Sequence, residues 1–190
     1  MDIKTIKEKI GDRFAHKTKH MTYVQFREEI LYRKVSWSHK DLVMNCAEEM
    51  CELVQKFSKL MRHNLWYGID DSLGLCEEII DIHISFAVLC ATMDFDFRRL
   101  TGYVKENLKK NRQDAMSEIE VCNQMISTTD KIAKFITELM KYVDKDIPKR
   151  EFNLMIGQMV DILTSALVLT DRFGISEEMM LYMADVKMFD

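Results

Sequence analysis

Residues 80–89 of the chain read IDIHISFAVL, and residues 160–169 read VDILTSALVL, with an aspartate, a serine and several apolar residues at matching places. Upstream, VQKF at 54–57 is matched by IAKF at 132–135. The interval from the phenylalanine to the aspartate differs by only two residues between the two halves. The pattern predicts a helix–loop–helix unit that occurs twice, so that two hairpins pair into one four-helix bundle. Two unrelated amphipathic hairpins would also give such a match, because helical patterns of Leu, Ile and Lys are common.

Outside these stretches the apolar residues recur at three- and four-residue intervals, which indicates amphipathic helices, and no useful segment alternates with the period of a strand. The four clearest helical runs cover about 38–63, 71–93, 117–142 and 149–173. Breaks between runs are expected at 63–74, 94–97, 113–117 and 143–148, and Pro148 suits the first turn of the helix that follows it. The sequence therefore predicts an all-α fold, with a four-helix bundle core built from two tandem hairpins and with flanking helices.

The domain organisation that follows is one all-α domain over residues 1–190. It comprises N-terminal helices at 1–36, a first hairpin at 37–114 that carries the candidate site, and a degenerate second hairpin at 115–190. Residues 3–14 have isoleucines and a phenylalanine at helical spacing, which predicts an amphipathic first helix. Gly174 and Ser176 are expected to end one helix and to cap a short last one.

The composition excludes several classes of protein. One proline and six glycines in 190 residues exclude collagen-like and turn-dense β architectures. A net charge of −4 argues against a general nucleic-acid binder, and no apolar run approaching about 18 residues is evident, so neither nucleic acid nor a membrane is an expected partner. Five cysteines without a CxxC motif indicate free thiols in a reducing compartment and no zinc site. We therefore expect a cytoplasmic protein.

Acidic residues form the most informative motif. Glu49 and Glu52 are three apart and share a helix face, and Glu78 and Asp81 repeat that spacing in the next helical run. Apolar residues flank both pairs, so four carboxylates converging near the bundle core would repel one another unless a cation neutralised them. All-oxygen ligands favour Mg²⁺, with Mn²⁺ as the second choice. The alternative is a solvated helix face, which is the usual role of such charge runs.

The EExxE motif at 48–52, followed after about twenty-five residues by ExxD at 78–81, resembles the signature of the MazG-like all-α nucleoside triphosphate pyrophosphohydrolases, which include the dimeric dUTPases. The resemblance implies that Glu49, Glu52, Glu78 and Asp81 hold Mg²⁺. It also implies hydrolysis of a (d)NTP between the α- and β-phosphates to give a (d)NMP and pyrophosphate. Either Glu48 or Glu49 would accept the proton of the attacking water. Base and sugar specificity are not readable from the motif.

Basic residues near the motif are candidates for balancing the phosphate charge. Lys59 and Arg62 follow EExxE in a MazG-like way, and the stretch from Lys105 through Leu108 to Arg112-Gln113-Asp114 resembles in part the phosphate-binding helix of the dimeric dUTPase branch. Lys109 stands where that branch has asparagine, and the Gly-Tyr that usually follows is missing. A dUTPase- or dCTPase-type enzyme is therefore the second reading. Ordinary surface solvation is the alternative role for these four cations.

The second hairpin lacks most of the ligand set. By the repeat alignment, the counterparts of the four carboxylates are Ser127, Asp130, Gln158 and Asp161. Two of the four carboxylates are lost, and an amide contributes no charge to a cation. We expect the second copy to complete the bundle without a full metal site.

Two other functions remain open. A di-iron carboxylate bundle requires two Glu-x-x-His motifs, which the chain lacks; His83 is two residues from Asp81 and is expected to be a surface or core histidine. A non-enzymatic helical interaction module is the other possibility, because fifteen methionines can supply an adaptable surface, although methionine at helical spacing is more often core. A homodimer is compatible with either function. Trp37, Trp66 and Tyr67 are candidates for stacking on a base, and packing is the commoner role of such residues.

Overall fold

The computed structural model describes residues 37–63, 69–111 and 116–171, together with Arg27, Glu28, Leu31, Met180 and Lys187. The helices within these ranges are α1 (His39–His63), α2 (Ile69–Thr92), α3 (Phe97–Asn111), α4 (Glu118–Leu139), which continues into a 3₁₀ turn (Met140–Tyr142), and α5 (Lys149–Asp171). The described ranges contain helices, turns and loops and no strand. The all-α prediction is confirmed. The helices expected in residues 1–36 and after Gly174 lie outside the described residues, apart from the single positions named above.

Packing follows the predicted hairpins. Helix α1 packs against α2, and α4 packs against α5; α2 also contacts α5, and α1 contacts α4. The core contains fully buried aromatic residues from both hairpins, and the rings of Phe86 and Phe135 approach to 5.4 Å between centroids. Phe57 and Phe135, the last residues of the matched VQKF and IAKF sequences, are both completely buried. The two hairpins therefore bury equivalent positions against each other in one core.

Each hairpin begins with the same capping arrangement. At the start of α1, the Ser38 N–H donates to Asp41 Oδ2 at 2.8 Å and the Asp41 N–H donates to Ser38 Oγ at 3.1 Å. At the start of α4, the Ser117 N–H donates to Glu120 Oε2 at 2.7 Å and the Glu120 N–H donates to Ser117 Oγ at 3.4 Å. These are capping boxes, which satisfy backbone donors that a helix start otherwise leaves unpaired. The first helices of the two hairpins thus begin with matching caps.

Helix α2 is followed, two residues after Thr92, by Asp94, whose backbone is left-handed with a φ of 55°. The Phe95 N–H donates to the carbonyl of Cys90 at 2.9 Å, and the Asp94 N–H donates to the carbonyl of Ala91 at 3.3 Å, which is the Schellman pattern. Arg27 Nε lies 3.1 Å from the Ala91 carbonyl and 3.2 Å from Asp94 Oδ1. The break predicted at 94–97 is therefore confirmed, and a residue from the N-terminal region contacts it.

One predicted break needs correction, and one helix has to be added to the four predicted runs. The break expected at 63–74 is too long, since α2 begins at Ile69 and includes Gly74. Helix α3 was not among the four clearest runs, because charged residues dominate it and only Phe97, Leu100 and Val104 are buried. It packs mainly against α5 and less against α2.

Helix α5 also corrects the expectation that no apolar run is long enough to cross a bilayer. Among the described helices, the segment Lys149–Thr170 is long and apolar enough by length and composition. Of its most apolar window, 67% is buried inside the protein, and residues such as Met155, Met159 and Leu163 lie in the core. A core helix that is covered on several sides has this composition as well.

Candidate metal centre

The four candidate carboxylates lie along the contact between α1 and α2. On α1, Met50 and Leu53 are fully buried, so the adjacent Glu49 is half-buried and Glu52 is exposed. On α2, the buried Ile79, Ile80 and Ile82 leave Glu78 and Asp81 half-buried. The expectation of an interior site is therefore wrong in one respect. The carboxylates border the core rather than occupying it, since water at this border reduces the cost of desolvating several negative charges.

The charges of these side chains influence one another across the two helices. Desolvation raises the pKa of Glu49, and the negative charges of Asp81, Glu52 and Glu48 raise it further, while a hydrogen bond from Asn45 acts in the opposite direction. Glu49 and Glu52 are three residues apart on α1, Glu78 and Asp81 are three apart on α2, and the two helices pack together.

The pKa of Glu78 is raised in the same way. Desolvation is the largest cause, and the charges of Glu52, Asp81 and Glu49 add to it, while Lys56 lowers it. The structure thus brings Glu49, Glu52, Glu78 and Asp81 into one cluster, which we call the carboxylate cluster, with Glu48 at its edge.

Two polar side chains bond to the cluster directly. Asn45 Nδ2 donates to Glu49 Oε1 at 2.9 Å from one helical turn earlier on α1. Lys187 Nζ lies 2.5 Å from Asp81 Oδ1 and 2.8 Å from Asp81 Oδ2. Each bond directs one carboxylate toward a partner other than its neighbouring carboxylates.

A third cation, Lys56, reaches the cluster across a glycine. A methyl group added at Gly74 would lie 2.5 Å from Lys56 Nζ, so the ammonium rests on α2 where the chain has no side chain. Gly74 is one helical turn before Glu78, which explains why Lys56 acts on that carboxylate. The absence of a side chain at this position lets a cation from α1 approach α2 closely.

Sequence reasoning missed Asn45, Lys56 and Lys187. Asn45 and Lys56 stand four residues from Glu49 and Glu52 on the same helix, so helical spacing was sufficient to find them. Lys187 is 106 residues from Asp81 in the sequence, and no local pattern pairs the two.

The donor set fits a hard divalent cation in chemistry, since it offers carboxylate oxygens from two packed helices at a border that water reaches. As the side chains stand, no three carboxylate, imidazole or thiol groups in the described part of the chain form a ready chelate. Asn45 bonds to Glu49 and Lys187 pairs with Asp81, so two of the four carboxylates have other partners in this structure. Glu49, Glu52, Glu78 and Asp81 are the residues that would hold the ion.

The four cations predicted to contact phosphate lie on the surfaces of α1 and α3. Lys59 and Arg62 are exposed on the last turns of α1, and Lys59 Nζ donates to Gln55 Oε1 at 3.4 Å. Lys105 and Lys109 are exposed on α3, which packs mainly against α5. The role of all four in binding phosphate stays a prediction.

Aromatic side chains and His83 contribute to packing. Trp37 packs partly buried against the core, and Trp66 and Tyr67 lie outside the described residues. His83 is buried, with its ring edge-on to Phe97 at 4.7 Å between centroids, and burial lowers its pKa to about 4. Of the two roles expected for His83, the structure selects the neutral core histidine.

The corresponding positions of the second hairpin form no such cluster. Asp130 is exposed and pairs with Lys134 at 2.6 Å, and Ser127 and Asp161 are also exposed. Gln158 Oε1 is buried and has no hydrogen-bond partner among the described residues. The second hairpin therefore retains the packing of the first without its concentration of negative charge.

Comparison of the chain with protein-family models, curated proteins and solved structures finds no match.

Proposed function

We propose that this protein is a MazG-like, Mg²⁺-dependent nucleoside triphosphate pyrophosphohydrolase that converts a (d)NTP to a (d)NMP and pyrophosphate. The observation that carries the proposal is the carboxylate cluster, to which α1 contributes Glu49 and Glu52 and the packed helix α2 contributes the half-buried Glu78 and Asp81. A protein that only needed a solvated helix face has no reason to place four carboxylates, three of them half-buried, along one helix contact. The EExxE and ExxD motifs supply the reaction class.

A divalent cation held by Glu49, Glu52, Glu78 and Asp81 would neutralise the triphosphate and polarise the phosphorus that is attacked. Water forms a new bond to the α-phosphorus, and the bond from that phosphorus to the bridging oxygen breaks, so that pyrophosphate leaves. One carboxylate takes the proton of the water. Glu48, exposed at the edge of the cluster, and Glu49 within it are the two candidates.

Lys56 is the cation we add to the predicted set of Lys59, Arg62, Lys105 and Lys109. Its ammonium lies over Gly74 beside Glu78, where it can balance charge that builds on the leaving phosphates.

The experiment that tests this function incubates the full chain with Mg²⁺ and a panel of NTPs and dNTPs, and identifies the products. We expect monophosphate and pyrophosphate. Turnover confined to dUTP or dCTP would select the dUTPase-type alternative. Conversion of the substrate to a nucleoside diphosphate and inorganic phosphate would contradict the proposal. So would no turnover of any nucleotide.

Matched variants connect the activity to the cluster. Glu49→Gln and Asp81→Asn should each reduce turnover by more than about 100-fold, since loss of an outer-shell partner alone costs about 10- to 100-fold at metal sites. Asp161→Asn, at the position equivalent to Asp81 in the second hairpin, should change turnover by less than about twofold. Circular dichroism checks that all three variants remain helical. Equal activity in wild type and both cluster variants would overturn the assignment.

A second candidate, the helical interaction module, is favoured by a different observation. Ile119 and Ile126 are seven residues apart on one face of α4 and are both exposed. The methionines give this alternative little support. Met44 is exposed, but Met50, Met125 and Met159 are fully buried in the core. A thermal-shift titration separates the two functions. Stabilisation by Mg²⁺ or nucleotide supports the enzyme. The module is supported if neither ligand stabilises the protein and if light scattering shows a wild-type dimer that is lost in the Ile126→Lys variant.

A further inference from the structure

Lys187, from the C-terminal part of the chain, forms an ion pair with Asp81 of the carboxylate cluster. The ammonium lies within 2.5 and 2.8 Å of both oxygens of one carboxylate, so it engages the whole donor group. Asp81 belongs to the candidate ligand set, and a divalent cation would need at least one of the same oxygens. An ammonium and a metal ion at this separation would repel strongly.

The surroundings of the pair explain why a lysine lies there. Glu49, Glu52 and Glu78 place negative charge around Asp81, and Lys56 offsets it on the side of Glu78. The side chains of Asp81 and Lys187 are 23% and 50% exposed. Water and dissolved ions therefore reach the pair, and exchange of one cation for another requires no opening of the core.

We infer that Lys187 is an internal counter-ion of the carboxylate cluster, which occupies Asp81 when no metal is bound and which a divalent cation displaces. The inference rests on the proposed function, since it assumes that the cluster is a metal site. It adds a regulatory property to that site. Metal binding and the Lys187–Asp81 ion pair exclude each other, so the lysine sets the cation concentration at which the site fills.

The test measures the affinity of the full chain for Mg²⁺ and Mn²⁺ alone by isothermal titration calorimetry. Lys187→Met removes the competing cation, and we expect both metals to bind about two- to fivefold more tightly than in wild type, in line with a partly exposed ion pair. Lys134→Met is the matched control. It makes the same charge change and breaks a Lys–Asp pair with a 2.6 Å contact in the second hairpin, so its affinity should equal that of wild type.

A second measurement uses the wild-type protein and needs no variant to fold. Lysine acetylation followed by peptide mass spectrometry reports how available each ammonium is. Saturating Mg²⁺ should raise the acetylation rate of Lys187, because its partner is taken, and should leave the rate at Lys134 unchanged.

The outcomes separate the two proposals. If wild type binds Mg²⁺ but Lys187→Met binds it equally or more weakly, or if Mg²⁺ leaves the acetylation of Lys187 unchanged, the counter-ion inference is wrong and the enzyme proposal stands. If neither wild type nor Lys187→Met binds either cation, both proposals fail.

Discussion

The two hairpins of this protein are alike where they hold the fold together and different where they meet solvent. Phe57 and Phe135 occupy equivalent, fully buried positions, and Ser38 and Ser117 cap the first helix of each hairpin by the same arrangement. On the polar side, the first hairpin concentrates carboxylates, whereas the second pairs Asp130 with Lys134 and carries an amide at Gln158. Packing positions in one core constrain each other closely, while border positions are free to diverge.

The comparison also shows what the candidate site costs the fold. Glu49 and Glu78 have raised pKa values because burial and neighbouring charges both disfavour their ionised forms. The exposed Asp130–Lys134 pair has no comparable burden. The carboxylates of the first hairpin therefore reduce its local stability, because burial and mutual repulsion both disfavour their charged forms.

The largest expected effect tests whether the hairpins are equivalent in the core. Phe57→Ala and Phe135→Ala should each lower the free energy of unfolding by about 3–5 kcal/mol, because each leaves a cavity in a closely packed interior. Urea denaturation measures both. Leu154→Ala, at an exposed apolar residue of α5, is the control and should cost less than about 0.5 kcal/mol. A large loss in only one of the two phenylalanine variants would show that the hairpins contribute unequally.

An exchange of polar residues between equivalent positions should have an intermediate effect. Gln158→Glu should destabilise the protein by about 1–3 kcal/mol, because the buried Oε1 already lacks a partner and a charge there costs more.

The reverse exchange should act in the opposite direction. Glu78→Gln should stabilise the metal-free protein by less than about 1 kcal/mol, since it removes repulsion from three carboxylates at a partly exposed site. With Mg²⁺ present the order should reverse, because only wild type gains the binding energy. Thermal unfolding with and without Mg²⁺ measures both exchanges. Stabilisation by Gln158→Glu would contradict the described difference between position 158, which disfavours a charge, and position 78, which carries one.

The helix caps give a further test, with an effect of similar size. Ser38→Ala and Ser117→Ala should each cost about 1 kcal/mol, as is usual for loss of an N-cap side chain. Bonds from Ser38 lower the pKa of Asp41 from its ordinary 3.8, and bonds from Ser117 lower the pKa of Glu120 from 4.5. A carboxylate with a lowered folded pKa stabilises the fold above its ordinary value, and this contribution is lost as the pH falls through the lowered one.

The difference in the free energy of unfolding between wild type and each serine variant should therefore be largest at neutral pH and should decrease below about pH 4. Urea denaturation at pH 7 and pH 3 measures the difference at each cap. A difference that grows on acidification would mean that the carboxylates do not support the caps.

Much of this could be predicted from spacing alone. The runs at 38–63, 117–142 and 149–173 agree with α1, α4 with its 3₁₀ turn, and α5 to within two residues, because long amphipathic patterns and caps are local signals. The EExxE and ExxD spacing also predicted which carboxylates share a border. The start of α2 was less predictable, since Gly74 resembles a helix breaker but lies inside the helix beneath Lys56.

By itself, the sequence determined an all-α chain with matched hairpins and a set of four carboxylates at helical spacing, because each of these properties depends on neighbours within a few residues. Only the tertiary structure decided that the cluster lies at the border of the core, that Lys56 crosses to α2, and that Lys187 pairs with Asp81. These outcomes depend on which surfaces pack together and on the charge that collects between them. Residues distant in sequence share that charge only after the chain has folded.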